Sequence, residues 1–195
     1  MSRAAIGFTV KSGWASVVLV AGSATRPTAI DSRRIELSDP AIPETRQPYH
    51  AGFGTARAAG AERSHLLAAV KRYGRRSVTA VIRQHAALGH RITGAGLVVG
   101  SLIDPDGIGN DHIRIHALEG QLFREVVRNA AGRAKLRCRI WRERDLYGRA
   151  VELLTQPEPR VRAAVAALGR DVEGPWRAEQ KSAALAAWLV LAHRR

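Results

Sequence analysis

The sequence predicts an α/β fold in which a mixed β-sheet carries helices on both of its faces. Residues 1–37 contain three short β-prone runs separated by turn residues, which is the pattern of an antiparallel meander. Apolar strands then alternate with segments of helical periodicity, as they do in βαβ units. Residues 92–99 form a nearly continuous apolar run, typical of a central strand that is covered on both sides.

The strands of the meander are predicted at residues 4–10, 14–20 and 28–37. The turn Lys11-Ser12-Gly13 joins the first two strands, because a glycine-containing turn of this length can close a hairpin. Residues 38–56 contain three prolines and two glycines without periodicity, and we predict a long loop there. Residues 58–88 have helical spacing, and Gly74 is expected to kink or split this helix.

The second half of the chain continues the alternation. A helix is predicted at residues 112–134 from its apolar spacing, and a strand at residues 136–141. Helical stretches follow at residues 146–154, 161–168 and 177–193. We write the order as β-β-β-α-β-α-β-α-α. We expect residues 1–195 to form a single domain, with the helices of residues 157–195 packed on the sheet.

The charge balance suggests the class of partner. The chain has 31 Lys and Arg residues against 17 Asp and Glu residues, a formal net charge of +14. Such an excess favours a polyanionic partner, most often nucleic acid, although an arginine-rich composition alone gives the same balance. Lys71, Arg72, Arg75 and Arg76 form either a basic patch or a solvated helix face. Without a signal-peptide pattern or a run of transmembrane length, the expected protein is cytoplasmic and has no membrane partner.

Two stretches about forty residues apart indicate where a functional site lies. Residues 97–109 are predicted to be a buried strand that ends in an acidic, glycine-rich loop with Asp104 and Asp106. Residues 139–145 are predicted to be a strand that continues into a helix, with Glu143 and Asp145 at the junction. Because parallel strands end at the same edge of a sheet, we expect a site at that edge.

Four sequence strings resemble a known family. They are IGFTVKSGWASVVL at residues 6–19, VVGSLIDPDG at residues 98–107, IWRER at residues 140–144 and KSAALAAWL at residues 181–189. In this order they resemble the RuvC/YqgF-type branch of the RNase H-like superfamily, which contains Holliday-junction resolvases and nucleases of ribosomal-RNA precursors. The resemblance spans nearly the whole chain and implies an RNase H-like mixed sheet. It also implies phosphodiester cleavage by carboxylates that hold divalent metal ions.

The carboxylates implied by the resemblance are largely replaced in this chain. Thr9 occupies the position in the first strand, and Lys181 occupies the one that opens the last helix (or Ser182, if the register shifts by one). Glu143 alone is retained. A lysine repels the cation that a carboxylate would bind, and magnesium requires hard oxygen ligands. The chain therefore resembles a degenerate member without two-metal nuclease activity.

Our first hypothesis is a protein that binds branched DNA or structured RNA and needs no cofactor. Its candidate phosphate-binding residues are Lys11, Ser12, Arg142, Arg144 and Lys181. Lysine, arginine and turn amides all bind phosphate well.

Two alternatives remain open. The first is an active nuclease that uses Mg²⁺ or Mn²⁺, with Glu143 and Asp145 as catalytic residues and Asp104, Asp106 and Glu143 as metal ligands. Against it, Asp145 also suits the first turn of a helix, and Asp104-Pro-Asp-Gly also suits a plain turn. The second alternative is a non-catalytic assembly protein, a homodimer formed through the C-terminal helix by Leu185, Trp188, Leu189 and Leu191.

The predicted helix of residues 112–134 contains a histidine motif in its first half. His112, His116 and Glu119 share one predicted helix face at spacing i, i+4, i+7, which could hold a transition metal. Apolar residues share much of that face, so we favour a structural histidine pair. Tyr49-His50 in the long loop is either a ligand contact or part of a solvated connector with one aromatic anchor. The single cysteine, Cys138, is predicted to be a core thiol rather than a nucleophile.

Overall fold

The computed structural model describes residues 2–52 and 55–193. Residues 53–54 of the predicted loop and residues 194–195 of the predicted C-terminal segment lie outside the described residues. The strands are β1 (Ser2–Lys11), β2 (Trp14–Gly22), β3 (Pro27–Glu36), β4 (His50–Gly52), β5 (Thr55–Ala56), β6 (His90–Val99) and β7 (Cys138–Arg142). The helices are α1 (Ala61–Ala87), α2 (Asp111–Arg133), α3 (Leu146–Leu154), α4 (Glu158–Leu168) and α5 (Ala178–Ala192).

Five of the strands form one mixed sheet in the order β3-β2-β1-β6-β7. The hairpin pairs β1–β2 and β2–β3 are antiparallel, whereas β1–β6 and β6–β7 are parallel. The central strand β1 therefore joins the meander to the βαβ half of the sheet. The predicted mixed sheet is confirmed. Three helices, α3, α4 and α5, follow the last strand, one more than the order β-β-β-α-β-α-β-α-α contains.

Helices cover both faces of the sheet, as the sequence predicts. On one face, Ile6, Phe8 and Leu97 of the sheet pack with Val70 of α1 and Phe123 of α2. The opposite face is covered mainly by α5. There, small and β-branched side chains of the sheet, among them those of Ala5 and Val18, share a cluster with Ala183 and Ala187. Helices α3 and α4 pack against α5 from outside through a further apolar cluster.

Helix α5 approaches the sheet unusually closely, at two strand glycines. A Cβ atom added at Gly7 would lie 1.8 Å from the carbonyl oxygen of Ala183, and one added at Gly96 would lie 2.7 Å from that of Ala186. Residues 182–191 of the helix are all buried. Glycine in the strands and alanine in the helix thus allow main chain to pack directly on main chain.

The apolar C-terminal helix does not provide a dimer surface. Leu185 and Leu189 are 0% exposed, and Trp188 and Leu191 are 2% exposed, because all four pack inside the protomer. The prediction that these residues form a homodimer interface is therefore wrong. Among the described residues, no helix is both long and apolar enough to cross a lipid bilayer.

Gly74 does not divide the first long helix. Helix α1 is continuous from Ala61 to Ala87, so the expected split is wrong. A Cβ atom at position 74 would lie 2.6 Å from Cγ1 of Val126 in α2 and 3.0 Å from the carbonyl oxygen of Leu37. The glycine is there for close packing, and tertiary contacts outweigh its low helix propensity.

Residues 38–52 and 55–56 contain more regular structure than the loop that the sequence predicts for residues 38–56. They contain a 3₁₀ turn at Pro43–Arg46 and the two short antiparallel strands β4 and β5. The hydroxyl of Thr45 accepts a hydrogen bond from the backbone N–H of Asp39 at 2.9 Å. Tyr49 packs against the main core and is the aromatic anchor of the segment.

The contact between Gly7 and α5 gives a stability prediction. In Gly7→Ala the added methyl group overlaps the Ala183 carbonyl oxygen, and we expect a loss on the order of 3 kcal/mol in the free energy of unfolding. Gly120→Ala is the matched control, because Gly120 lies in α2 with open space around it. That change should raise stability by about 0.5–1 kcal/mol. Urea unfolding measures both, and equal midpoints would contradict the close approach.

Candidate functional site

The carboxyl ends of β1, β6 and β7 meet at one edge of the sheet, because these strands are parallel to one another. Thr9 of β1 lies in register with Val98 of β6, and Val99 of β6 lies in register with Arg142 of β7. Residues that follow these strands are therefore brought together although they are far apart in the sequence. We call this region, with the first turns of α5, the carboxyl edge.

An ion pair joins the end of β1 to the 3₁₀ turn that follows β7. Nζ of Lys11 donates a hydrogen bond to Oε2 of Glu143 at 3.2 Å, and the side chains are 34% and 39% exposed. Lys11, which is predicted to bind phosphate, thus forms an ion pair with Glu143, which is the predicted catalytic residue of the nuclease alternative. The ammonium group compensates the charge of the carboxylate and occupies one of its oxygens, which opposes the binding of a divalent cation there.

Thr9 is buried and has a specific partner. Its side chain is on the central strand, and its hydroxyl donates a hydrogen bond to the carbonyl oxygen of Glu179 at 2.8 Å. Next to it, Nε2 of Gln180 donates to Oγ of Ser16 in β2 at 2.8 Å. These two bonds hold the first turn of α5 against the β1–β2 hairpin. The hydroxyl of Thr9 therefore has a structural role at a position where the resemblance implies a metal ligand.

Lys181 lies one residue beyond that anchored turn. Its side chain is partly exposed, and no described residue forms an ion pair or a side-chain hydrogen bond with it. A cation near the amino end of a helix is repelled by the helix dipole. Lys181 and the positive end of the helix dipole favour an anion here, whereas the carboxylate of Glu179 in the same turn opposes one.

Asp145 and the two arginines around it form a local ion-pair group. Arg142 Nε bonds to Oδ2 of Asp145, and Nε of Arg144 lies 3.7 Å from Oδ1. Both oxygens of the predicted catalytic carboxylate are therefore next to guanidinium groups. The side chain of Arg144 is 74% exposed, so it also faces solvent.

Asp104 and Asp106 lie in an exposed 3₁₀ turn after β6. Oδ1 of Asp104 accepts a hydrogen bond from the backbone N–H of Asp106 at 3.1 Å, as expected for the turn interpretation. Among the described residues, these two and Glu143 do not bring their oxygens within 4.8 Å of one another. The three candidate metal ligands of the nuclease hypothesis are not assembled.

Ser12 lies in the turn between β1 and β2, and the next residue, Gly13, has a φ of 83°, which glycine adopts without strain. The carbonyl oxygen of Gly13 accepts hydrogen bonds from the backbone N–H groups of Leu37 and Ser38. A Cβ atom at position 13 would also lie 2.7 Å from Cγ of Arg46. The turn is thus fixed to the segment of residues 38–56.

The histidine motif meets a third histidine that the sequence pattern did not connect to it. Nδ1 of His50 in β4 donates a 2.8 Å hydrogen bond to Oε1 of Glu119, and the His50 ring lies 4.9 Å from that of His116. The rings of His112 and His116 lie 4.6 Å apart. Burial lowers the pKa of His116, and the neighbouring imidazoles lower it further.

Glu119 is the buried member of this group, with no exposed side-chain surface. Burial raises the pKa of its carboxyl group, and the hydrogen bond and charge of His50, with the nearby Tyr49 backbone, oppose that increase. The predicted pair of His112 and His116 is therefore part of a larger group that also contains His50 and the carboxylate of Glu119. In the sequence, only the i, i+4, i+7 spacing of His112, His116 and Glu119 indicated this group. Nothing in the sequence placed His50 beside α2.

Cys138 packs against the edge of the main core. Burial raises the pKa of its thiol to about 11, although nearby Arg128 opposes this shift. The thiolate is therefore scarce at neutral pH, which agrees with a core thiol rather than a nucleophile.

The basic run of α1 lines a hollow between α1 and α2. The cavity has a volume of about 650 Å³. Its cationic lining residues are Arg72, Arg75, Arg76, Arg83 and Arg133. This second basic surface belongs to the helical layer and not to the carboxyl edge.

These features define the class of fold: a RuvC-like RNase H fold, with a five-stranded mixed sheet between two helical layers. The chain is similar to the structure of RuvC from Thermus thermophilus, with a TM-score of 0.54 and 13% sequence identity over 97% of this chain and 92% of that chain. It is similar to T. thermophilus RuvC in complex with a Holliday junction substrate, with a TM-score of 0.55 and the same identity and coverage. No protein-family model and no curated protein matches the chain. At this identity the likeness confirms the RNase H-like fold and does not establish an activity.

The Thr9–Glu179 bond predicts the effect of restoring an acid at position 9. In Thr9→Asp a buried carboxylate faces a carbonyl oxygen, whereas the isosteric Thr9→Asn keeps a donor. At pH 7 we expect Thr9→Asp to be less stable than Thr9→Asn by about 1–3 kcal/mol. This difference in the free energy of unfolding should become smaller as the pH falls, because a protonated carboxyl group can donate to the carbonyl oxygen. It should become larger as the pH rises and the carboxyl group ionises. Urea unfolding at pH 4 and pH 7 measures it, and equal stabilities at pH 7 would refute the role assigned to Thr9.

Proposed function

We propose that this chain binds structured nucleic acid at its carboxyl edge and does not use the divalent-metal mechanism associated with this fold. The Lys11–Glu143 ion pair is the observation that carries the proposal. It neutralises the one retained acid at an edge where Thr9 and Lys181 occupy the other two acid positions. The proposal includes the finer assignment to the RuvC/YqgF-type branch as a degenerate member, which rests on the four sequence strings and on these replacements.

The groups at this edge do not fit a magnesium ion. Mg²⁺ takes an octahedral set of oxygen ligands, most of them carboxylates, phosphates and water. Here the hydroxyl of Thr9 already donates to a carbonyl group, Glu143 is bound to an ammonium group, and Lys181 is a cation. We therefore assign no catalytic step to a metal at this edge.

The same groups suit a phosphate backbone. Lys181 and the amino end of α5 supply positive potential, and Arg144 extends into solvent. Lys11 and Arg142 form ion pairs with Glu143 and Asp145. They can contact a phosphate group only if that group replaces the carboxylate. The net charge of +14 adds long-range attraction that depends on salt. The RuvC structure in complex with a Holliday junction substrate makes branched DNA the first ligand to test.

Fluorescence anisotropy across a salt series tests the proposal with labelled four-way-junction DNA, duplex DNA and structured RNA. The wild type should bind at least one of them with a steep negative slope of log K against log salt. Lys181→Glu should weaken binding and reduce that slope by about one or two. The matched control is Arg91→Glu, an equal charge reversal at the exposed amino end of β6, on the opposite edge of the sheet.

Two results would count against binding at the carboxyl edge. One is an equal loss of affinity in Lys181→Glu and Arg91→Glu, since this would reflect net charge alone. The other is a reduced slope only in Arg76→Glu, which would move the interface to the hollow between α1 and α2. Absence of binding at low salt would reject the proposed function as a whole.

A cleavage assay separates this proposal from the nuclease alternative. We expect branched DNA to remain intact with either Mg²⁺ or Mn²⁺, because Glu143 is paired and the other candidate acids are not assembled with it. Products on a denaturing gel are the readout. Cleavage that requires the metal and disappears in Glu143→Ala would establish the alternative instead.

A further inference from the structure

Three histidines line a cavity of about 650 Å³ between the segment of residues 38–56 and the amino-terminal half of α2. His50 comes from β4, whereas His112 and His116 lie one helical turn apart on α2. One ring nitrogen of each of the three lies within 4.8 Å of the others. Three imidazoles gathered at one opening are the donor type that zinc and similar ions prefer.

The spacing is compatible with tetrahedral coordination. Zn–N bonds of about 2.0–2.1 Å place ligand nitrogens roughly 3.4 Å apart. His112 and His116 have exposed side chains, so rotation about their χ angles can close the remaining gap. Their i, i+4 spacing keeps both rings on the same face of α2.

Glu119 supplies an independent observation. Its side chain is fully buried, and its Oε1 bonds to Nδ1 of His50 at 2.8 Å. Its Oε2 has no hydrogen-bond partner among the described residues, an arrangement that is costly for a carboxylate. When Nδ1 of His50 carries the proton toward the carboxylate, Nε2 keeps the lone pair that a metal needs. A carboxylate behind a ligating histidine is the usual outer partner of a zinc site.

We propose that His50, His112 and His116 bind a divalent transition-metal ion, best fitted by Zn²⁺, with Glu119 as the positioning residue for His50. Three protein ligands leave a fourth position open to the cavity. Arg46, Arg57 and Glu44 also line that cavity. Because the two guanidinium groups outnumber the one carboxylate, an anion or a hydroxide is the favoured fourth ligand. The ion connects β4 to α2.

Metal titration of the full-length, chelator-treated protein tests this site with Co²⁺ as the spectroscopic probe. We expect about one Co²⁺ per chain, with the visible absorption of a tetrahedral or five-coordinate ion, displaced by Zn²⁺. The melting temperature should rise with Zn²⁺ concentration, because only the folded chain presents the site.

Single variants identify the ligands. His112→Ala and His116→Ala change exposed positions and should each weaken Zn²⁺ binding by about 100-fold or more in isothermal titration calorimetry. Glu119→Gln should weaken it by about 10–100-fold and retain the stoichiometry. His65→Ala, an exposed histidine of α1, is the matched control and should leave the affinity unchanged. Circular dichroism checks that each variant is folded, and His116→Gln replaces His116→Ala if the latter is not.

The site is rejected if the wild type shows no saturable Co²⁺ or Zn²⁺ binding. It is also rejected if the double variant His112→Ala/His116→Ala binds as tightly as the wild type. Loss of affinity in His65→Ala equal to that in His116→Ala would indicate nonspecific binding by surface histidines, and would equally overturn the assignment.

Discussion

The rest of the structure depends on the close contact between α5 and the glycines of the two central strands. Gly7 and Gly96 leave no side chain between strand and helix, and the carbonyl groups of Ala183 and Ala186 occupy the space. This contact fixes the height and direction of α5 on the sheet. Its first turn is then held against β1 and β2 by Thr9 and Gln180. The carboxyl edge acquires its geometry from a packing constraint that lies within the hydrophobic core.

The polar groups of that edge compensate one another. The hydroxyl of Thr9 satisfies a carbonyl group of α5, and Lys11 satisfies Glu143. An acid at position 9 would place an acceptor against the carbonyl oxygen of Glu179, which is costly unless the acid is protonated or binds a cation. A lysine at position 181 would in turn repel that cation. The residues at positions 9, 11 and 181 therefore suit one another, and none of them favours a bound cation at this edge.

The fold was largely predictable from local pattern, and the site was predictable only in part. Period-two and helical spacing locate β1, β6 and α2 within a few residues, and the connection rules then give the mixed sheet. Gly74 was misread because its reason lies in Val126 and Leu37, which are distant in sequence. The Lys11–Glu143 ion pair and the contact between His50 and Glu119 were not predicted for the same reason. Each depends on side chains from separate elements, and one-dimensional periodicity contains no information about such contacts.

The topology places the histidine group and the carboxyl edge at the same end of the molecule. The connection that leaves the carboxyl end of β6 leads directly to the start of α2, the half of the helix that carries His112 and His116. Arg46, which lines the histidine cavity, also lies against Gly13 in the turn after Lys11. An ion that fixes β4 to α2 would therefore fix a segment that also contacts the turn after Lys11. If the two sites are coupled through this segment, metal and nucleic acid must change each other's affinity by the same factor.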